Sequence, residues 1–269
     1  MENTNNIEVN DKIYPRIILG LDISTACIGV CVVKDNGGYK PEILHLSHKT
    51  PKISRKIKGI EALFLRKQIF EDEFIKEIAE TYDITDVVIE EPLLSSNNVN
   101  TVATLLRFNG MISEAIYRIT GVVPNFISSY DARMFSFPEL VAVRKYNKKG
   151  EEYPVKHIDK AIKDNSVVLF GAYPFDIDKK GVMMNMVNEM FGSEIDWLVD
   201  KKGNLKKENY DACDALICTL AYININHYGV DKAVISTSNK KVLEDGVEYH
   251  YTTKIWNKEF NKTLILKGK

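Results

Sequence analysis

No stretch of the chain approaches the ~18 consecutive apolar residues that a membrane-spanning helix requires, so no span is expected. The first residues, MENTNNIEVNDK, are polar and carry acids, unlike the apolar core of a secretory signal. Cysteine is scarce. Cys27, Cys31, Cys213 and Cys218 form no CxxC, and no Cys/His pairing has zinc spacing. This excludes a disulfide frame or a structural zinc site as an expectation, and points to buried free thiols in a reducing cytoplasm. An excess of either charge is also missing: 36 Lys and Arg face 37 Asp and Glu, a net charge of -1. A uniformly basic nucleic-acid coat is thereby excluded, but an acidic site beside basic surfaces is not. There is no internal repeat. What remains is ordinary globular composition over 269 residues, 45% hydrophobic and 27% charged, against disorder, collagen or coiled coil. One large domain, or a domain with an insertion, suits the length.

The hydrophobic pattern gives the element order. RIILGLDIS (16–24) and CIGVCVVK (27–34) read as buried strands, and DNGG (35–38) as a turn leading to a returning strand, YKPEILHLS (39–47). Between residues 56 and 82, Ile57, Ile60, Leu63, Phe64, Ile69, Phe74, Ile75 and Ile78 recur near helical spacing, with a drift at Ile69. DVVIEEPL (86–93) reads as a strand ended by Pro92. Residues 98–120 read as a helix stopped by Gly121, and VVPNFIS (122–128) as a further strand. Residues 138–200 look inserted, with a helix over 181–191. Residues 209–228 read as a helix capped by Asn209, and 232–268 as β-prone. The fold expected is a mixed α/β sheet, three antiparallel strands followed by parallel ones, flanked by helices. The divisions expected are a polar tail at 1–14, a main domain at 15–230 and a β extension at 231–269.

Acids interrupt apolar elements at three places. Asp22 lies within the first strand, Glu90 and Glu91 end DVVIEE, and Asp211 and Asp214 open the helix DACDALICTLAY. A carboxylate in an apolar element is costly unless a partner or cation neutralises it. Asp211 and Asp214 are three apart and share a helix face. If the strands are neighbours and the helix crosses them, Asp22, Glu90, Asp211 and Asp214 meet at one rim. Only one of two adjacent strand residues can face that rim, and Glu90 is favoured over Glu91. An all-carboxylate site suits Mg²⁺, with Mn²⁺ as a substitute, and two such ions would activate water for attack on a phosphodiester. No Ser/His/Asp or Cys/His triad is suggested.

These motifs resemble the RuvC-like Holliday junction resolvases of the RNase H-like superfamily. GLDIS followed by CIGVCVV is similar to their first-strand motif, VIEE to the second, LLRFNGMISEAI (105–116) to the segment after it, and DACDALICTLAY to the last. The resemblance covers about half the chain, over 16–47, 84–131 and 205–228. It departs at Ile23-Ser24, where the cellular enzymes tend to have Pro-Gly, and at Glu91, where they have Gln. The richness in Lys, Asn, Ile and Tyr resembles a phage or large-virus version. The resemblance implies an RNase H-like fold, Asp22, Glu90, Asp211 and Asp214 as metal ligands and catalytic residues, and a homodimer that cleaves branched DNA in the cytoplasm. Other nucleases on this scaffold, cleaving hybrids or flaps, share the acids. A non-cleaving junction-binding protein is a further alternative. An actin-like ATPase is another, but no second DxG loop or later Gly-Gly loop supports it.

Cations for phosphates occur in three groups. Residues 49–67 hold Lys49, Lys52, Arg55, Lys56, Lys58, Arg66 and Lys67 against Glu61 alone. Arg144, Lys145, Lys148 and Lys149 flank Tyr146. Lys201, Lys202, Lys206 and Lys207 precede the acidic helix. DNA contact is assigned to Lys52, Arg55, Lys56, Lys58, Arg144, Lys145, Lys148 and Lys149. The run Met183, Met184, Met186 and Met190 is expected to be helix core, with a dimer contact as the alternative.

Overall fold

The computed structural model describes residues 15–37, 40–92, 98–136, 166–170, 179–206, 208–227, 234–244, 246–256 and 263–268. Arg144, Lys145, Lys148 and Lys149 lie outside them.

β1 (Arg16–Ile23), β2 (Ile28–Asp35) and β3 (Glu42–Lys49) form an antiparallel meander. At the β2–β3 turn, Gly37 takes a φ of 77° and its N–H donates to Asp35 Oδ1 at 2.9 Å. β4 (Asp86–Glu90) then joins β1 in parallel, and β5 (Asn125–Ile127) joins β4 in parallel. The sheet order is β3-β2-β1-β4-β5.

Both faces of the central strands are covered, which is why they read as nearly continuous apolar runs. Side chains alternate between faces. Leu19, Leu21, Ile23, Val30, Val32, Val87 and Ile89 enter one core, under α1 (Gly59–Phe70), α2 (Lys76–Thr81) and α3 (Val99–Thr120). Ile18, Cys31, Val33 and Val88 enter the other, under α4 (Ser129–Ser136), α5 (Lys179–Phe191) and α6 (Asn209–Tyr222). By the same alternation Asp22 and Glu90 belong to the α6 face.

α1 and α2 are joined by a π turn, Glu71–Ile75, which inserts a residue into the helical repeat. Phe70, Phe74, Ile75 and Ile78 are buried, whereas Ile60 and Phe64, expected on the core face, are 51% and 57% exposed. α3 has the predicted ends. The Asn98 side chain accepts from the N–H groups of Asn100 and Thr101 at 3.1 and 3.3 Å, and Gly121 closes the helix at φ 73°. Met183 and Met184 are buried, and Met186 and Met190 pack against the same core.

A second sheet is built from β6 (Ser166–Phe170), β7 (Val234–Glu244), β8 (Val247–Trp256) and β9 (Thr263–Gly268), in the order β6-β9-β8-β7. β6 lies within 138–200, the stretch expected to be an insertion, and pairs in parallel with β9, a partnership that the local pattern does not show.

Candidate active site

α6 lies almost on the backbone of β1 and β2, and two glycines permit it. A Cβ at Gly29 would fall 1.8 Å from the carbonyl oxygen of Asp211. One at Gly20 would fall 1.9 Å from Thr219 Oγ1 and 2.9 Å from the Ala215 carbonyl oxygen. Gly29 pairs with Asp22 across the β1–β2 ladder, so the first turns of α6 rest beside Asp22. β4 runs parallel to β1, with Leu21 opposite Ile89. This register carries Glu90 to the same sheet end.

Asp22, Glu90 and Asp214 therefore converge. One carboxylate oxygen from each lies within 4.8 Å of the others. Asp214 is buried, and Asp22 and Glu90 are half-buried. Asp211 is not part of this group. It stands at its margin, near enough to act electrostatically on all three and on the thiol of Cys27. Glu91 is exposed, and its backbone N–H donates to the Ile127 carbonyl at 2.8 Å.

The electrostatics of the group are those of acids crowded without enough counter-charge. Burial, then the charges of Glu90 and Asp214, push the Asp22 carboxyl well above the usual carboxylate range. Burial and Asp214 push Glu90 up to about 7. Burial raises Asp214 as well, against the pull of Lys180 and Arg133. Lys180, on the first turn of α5, places its Nζ 3.3 Å from Asp214 Oδ2 and 5.7 Å from the centre of the Tyr210 ring. Lys180 and Arg133 escaped the sequence reading because neither sits in a basic cluster or an acidic motif. Only packing brings α4 and α5 to the acids.

Asp86 provides the contrast. It lies on the same face of β4 as Glu90, at the other end, and is also buried. Arg16 Nη1 donates to its two oxygens at 3.0 and 3.2 Å, the Tyr222 hydroxyl donates at 2.8 Å and Thr85 Oγ1 at 2.8 Å. That acid is fully neutralised from within the protein. Among the described residues, the three at the opposite end share one lysine contact and a more distant arginine.

The donor set fits a hard cation. It offers carboxylate oxygens alone, from three separate elements, in a pocket where added positive charge relieves repulsion.

Of the predicted DNA-contacting residues that are described, Lys52, Arg55, Lys56 and Lys58 are all exposed on the segment between β3 and α1. This segment starts at the sheet end that carries the acids, since Lys49 at the end of β3 pairs with Ile28, and the next residue of β2, Gly29, pairs with Asp22. The other three cations of that stretch are engaged internally. Lys49 lies 4.8 Å from the Phe74 ring centre, Arg66 donates to the Thr25 carbonyl, and Lys67 pairs with Glu71.

Three antiparallel strands, two parallel ones beside the first, helices on both faces and acids at the ends of β1 and β4 complete the pattern. The fold is RNase H-like. No family model matches the chain, and no curated protein does. Among solved structures the chain is similar to Thermus thermophilus RuvC in complex with a Holliday junction substrate, at 14% identity and a TM-score of 0.49, covering 79% of this chain and 96% of that one. It is similar to the yeast mitochondrial Holliday junction resolvase Ydc2, at 12% identity and a TM-score of 0.43, covering 81% and 84%. It is similar more remotely to an Aquifex aeolicus PPX-GPPA enzyme, at 12% identity and a TM-score of 0.32, covering 80% and 94%.

Proposed function

We propose that the chain is a Mg²⁺-dependent endonuclease that resolves four-way DNA junctions by hydrolysing phosphodiesters. The observation that carries this reading is the convergence of Asp22, Glu90 and Asp214 within 4.8 Å without matching counter-charge among the described residues. Asp22, Glu90 and Asp214 would hold the ion, and Asp211, at the margin, would serve a second one. Bound divalent ions would supply an activated water and charge stabilisation of the leaving oxygen.

The chain's own residues fix the geometry. The missing side chains at Gly20 of β1 and Gly29 of β2 let α6 seat directly on the sheet, so Asp214 and Asp22 stay close although repulsion would part them. The Lys180 ammonium holds one oxygen of Asp214 and reduces the charge that the ion must offset. Lys52, Arg55, Lys56 and Lys58 supply phosphate contacts on the adjoining segment. Paired nicks in a four-way junction require two active sites related by a two-fold axis, and hence a homodimer.

The test is cleavage of a synthetic four-way junction, with hybrid and flap substrates alongside. Paired, Mg²⁺-dependent nicks are expected with the wild-type chain. Asp22→Asn and Asp214→Asn should each lower the rate by on the order of 10³-fold, equivalent to about 4 kcal/mol of lost charge stabilisation. Wild-type rates in both variants overturn the residue assignment, and preference for hybrids or flaps overturns the junction assignment.

A further inference from the structure

The stretch that leads into α6 is a small folded unit with no part in the carboxylate cluster. Val199 and Leu205 form an antiparallel bridge. Asp200 organises the turn between them. Its Oδ1 accepts from the N–H groups of Lys202 and Asn204 at 2.7 and 2.9 Å, and its Oδ2 accepts from Asn204 Nδ2 at 3.1 Å. Its own N–H donates to the Asn204 carbonyl at 2.8 Å, and Gly203 takes a φ of 83°. The unit is rooted in the active-site helix. The buried amide of Asn209 donates to the Leu198 carbonyl at 2.9 Å and accepts from the Leu198 N–H at 3.2 Å. Asn209, expected as a helix cap, thus clamps this hairpin, and Asp211 follows two residues later.

The hairpin presents two kinds of surface. Lys201, Lys202 and Lys206 are all exposed, around an exposed Asp200 carboxylate that accepts the hydrogen bonds of the turn. Beside them Leu198, Val199 and Leu205 are 41%, 50% and 45% exposed. Between the hairpin and the start of α6 lies an open cleft of about 530 Å³, lined by Asp200, Leu205, Lys206, Glu208 and Asp211.

We propose that this hairpin, residues 198–206, is a DNA-contacting arm that holds the strand entering the carboxylate cluster; the proposal rests on the nuclease reading above. The charges decide how the strand lies. Asp200 and Glu208 repel phosphate inside the cleft, so the phosphates run along the lysine rim until they reach the ions that Asp211 and the cluster would hold. Sugar and base faces then meet Val199 and Leu205, which share one face of the hairpin, the pairing of cations with apolar surface that an unstacked strand needs. The Asn209 clamp makes the arm's position a fixed function of the position of α6.

The experiment measures junction binding without metal in the full chain carrying Asp214→Asn, which removes cleavage from the readout. The observed association constant is followed against salt for that chain and for the same chain with Lys201→Ala, Lys202→Ala and Lys206→Ala. The slope of log K against log salt should fall by about one for each lysine that meets a phosphate, roughly two to three in all, with an unchanged melting temperature. In a second variant, Val199→Ser with Leu205→Ser, affinity should fall several-fold with the slope retained. Wild-type slope and affinity in the lysine variant overturn the arm while leaving the nuclease reading intact. A changed oligomeric state with an unchanged slope also overturns it, by making the surface a protein contact. Absence of junction binding by the parent chain overturns the nuclease reading, and the arm with it.

Discussion

Asp86 and Glu90 lie four positions apart on one face of one strand, yet their surroundings give them opposite chemistry. Arg16, Thr85 and Tyr222 complete the first; the second faces two more acids. The consequence for pH follows from proton binding. Burial and crowding make Asp22, Glu90 and Asp214 bind protons more tightly in the folded chain than in the unfolded one. Between the ordinary carboxylate values near 4 and the value of about 7 for Glu90, the native state holds more protons, so stability falls as pH rises. In chelator, the melting temperature is therefore expected to drop by a few degrees between about pH 5 and pH 8. Glu90→Gln should flatten that drop, and Mg²⁺ should raise the melting temperature more at the upper pH than at the lower. A melting temperature that climbs across this window, or ignores Mg²⁺, contradicts the electrostatic account. At this scale the acids were legible because charge inside apolar runs is conspicuous. Lys180 and Arg133 were not, because nothing local distinguishes them from other surface cations.

Among elements, the decisive contact is backbone on backbone. Helix α6 approaches β1 and β2 only because positions 20 and 29 lack a Cβ. Gly29→Ala places a methyl carbon where the Asp211 carbonyl sits, and the helix must retreat. A loss of about 1–3 kcal/mol in denaturant titration is expected, with a larger proportional loss of junction cleavage, because the retreat separates Asp214 from Asp22. Equal stability and activity to wild type would show that the helix is not held there. The sequence signalled the strands through their apolar runs and the helix through its pattern, and the bounds agree closely with 16–23, 28–35 and, with the π turn that continues α6, 209–227. The face was misread in α1, where Ala62, Leu63 and Phe70 are buried and Ile60 and Phe64 lie in solvent, and a π turn at Glu71–Ile75 then breaks the period. A period of 3.6 cannot describe a helix that gains a residue midway.

In the whole molecule, two sheets differ in how their strands are recruited. The five-stranded sheet uses chain segments between residues 16 and 127, whereas the four-stranded sheet joins β6 to strands beyond residue 233. β9 sits between β6 and β8, pairing with both. Removal of residues 257–269 deprives β6 of this partner and bares an edge of β8, and unpaired edges invite association and proteolysis. Limited proteolysis is expected to cut the truncated chain near residues 166–170 faster than the full chain. Identical digestion of the two would mean that β9 does not secure β6.

Local chemistry wrote much of this protein into its sequence: alternating apolar strands, capped helices, scarce thiols and acids where burial forbids them unaided. Which acids meet was decided elsewhere. Parallel register brought Glu90 level with Asp22, two missing side chains let Asp214 descend beside them, and Asp211 was left at the margin. Distances between residues nearly two hundred positions apart depend on how closely layers pack, and packing is a property of the assembled fold.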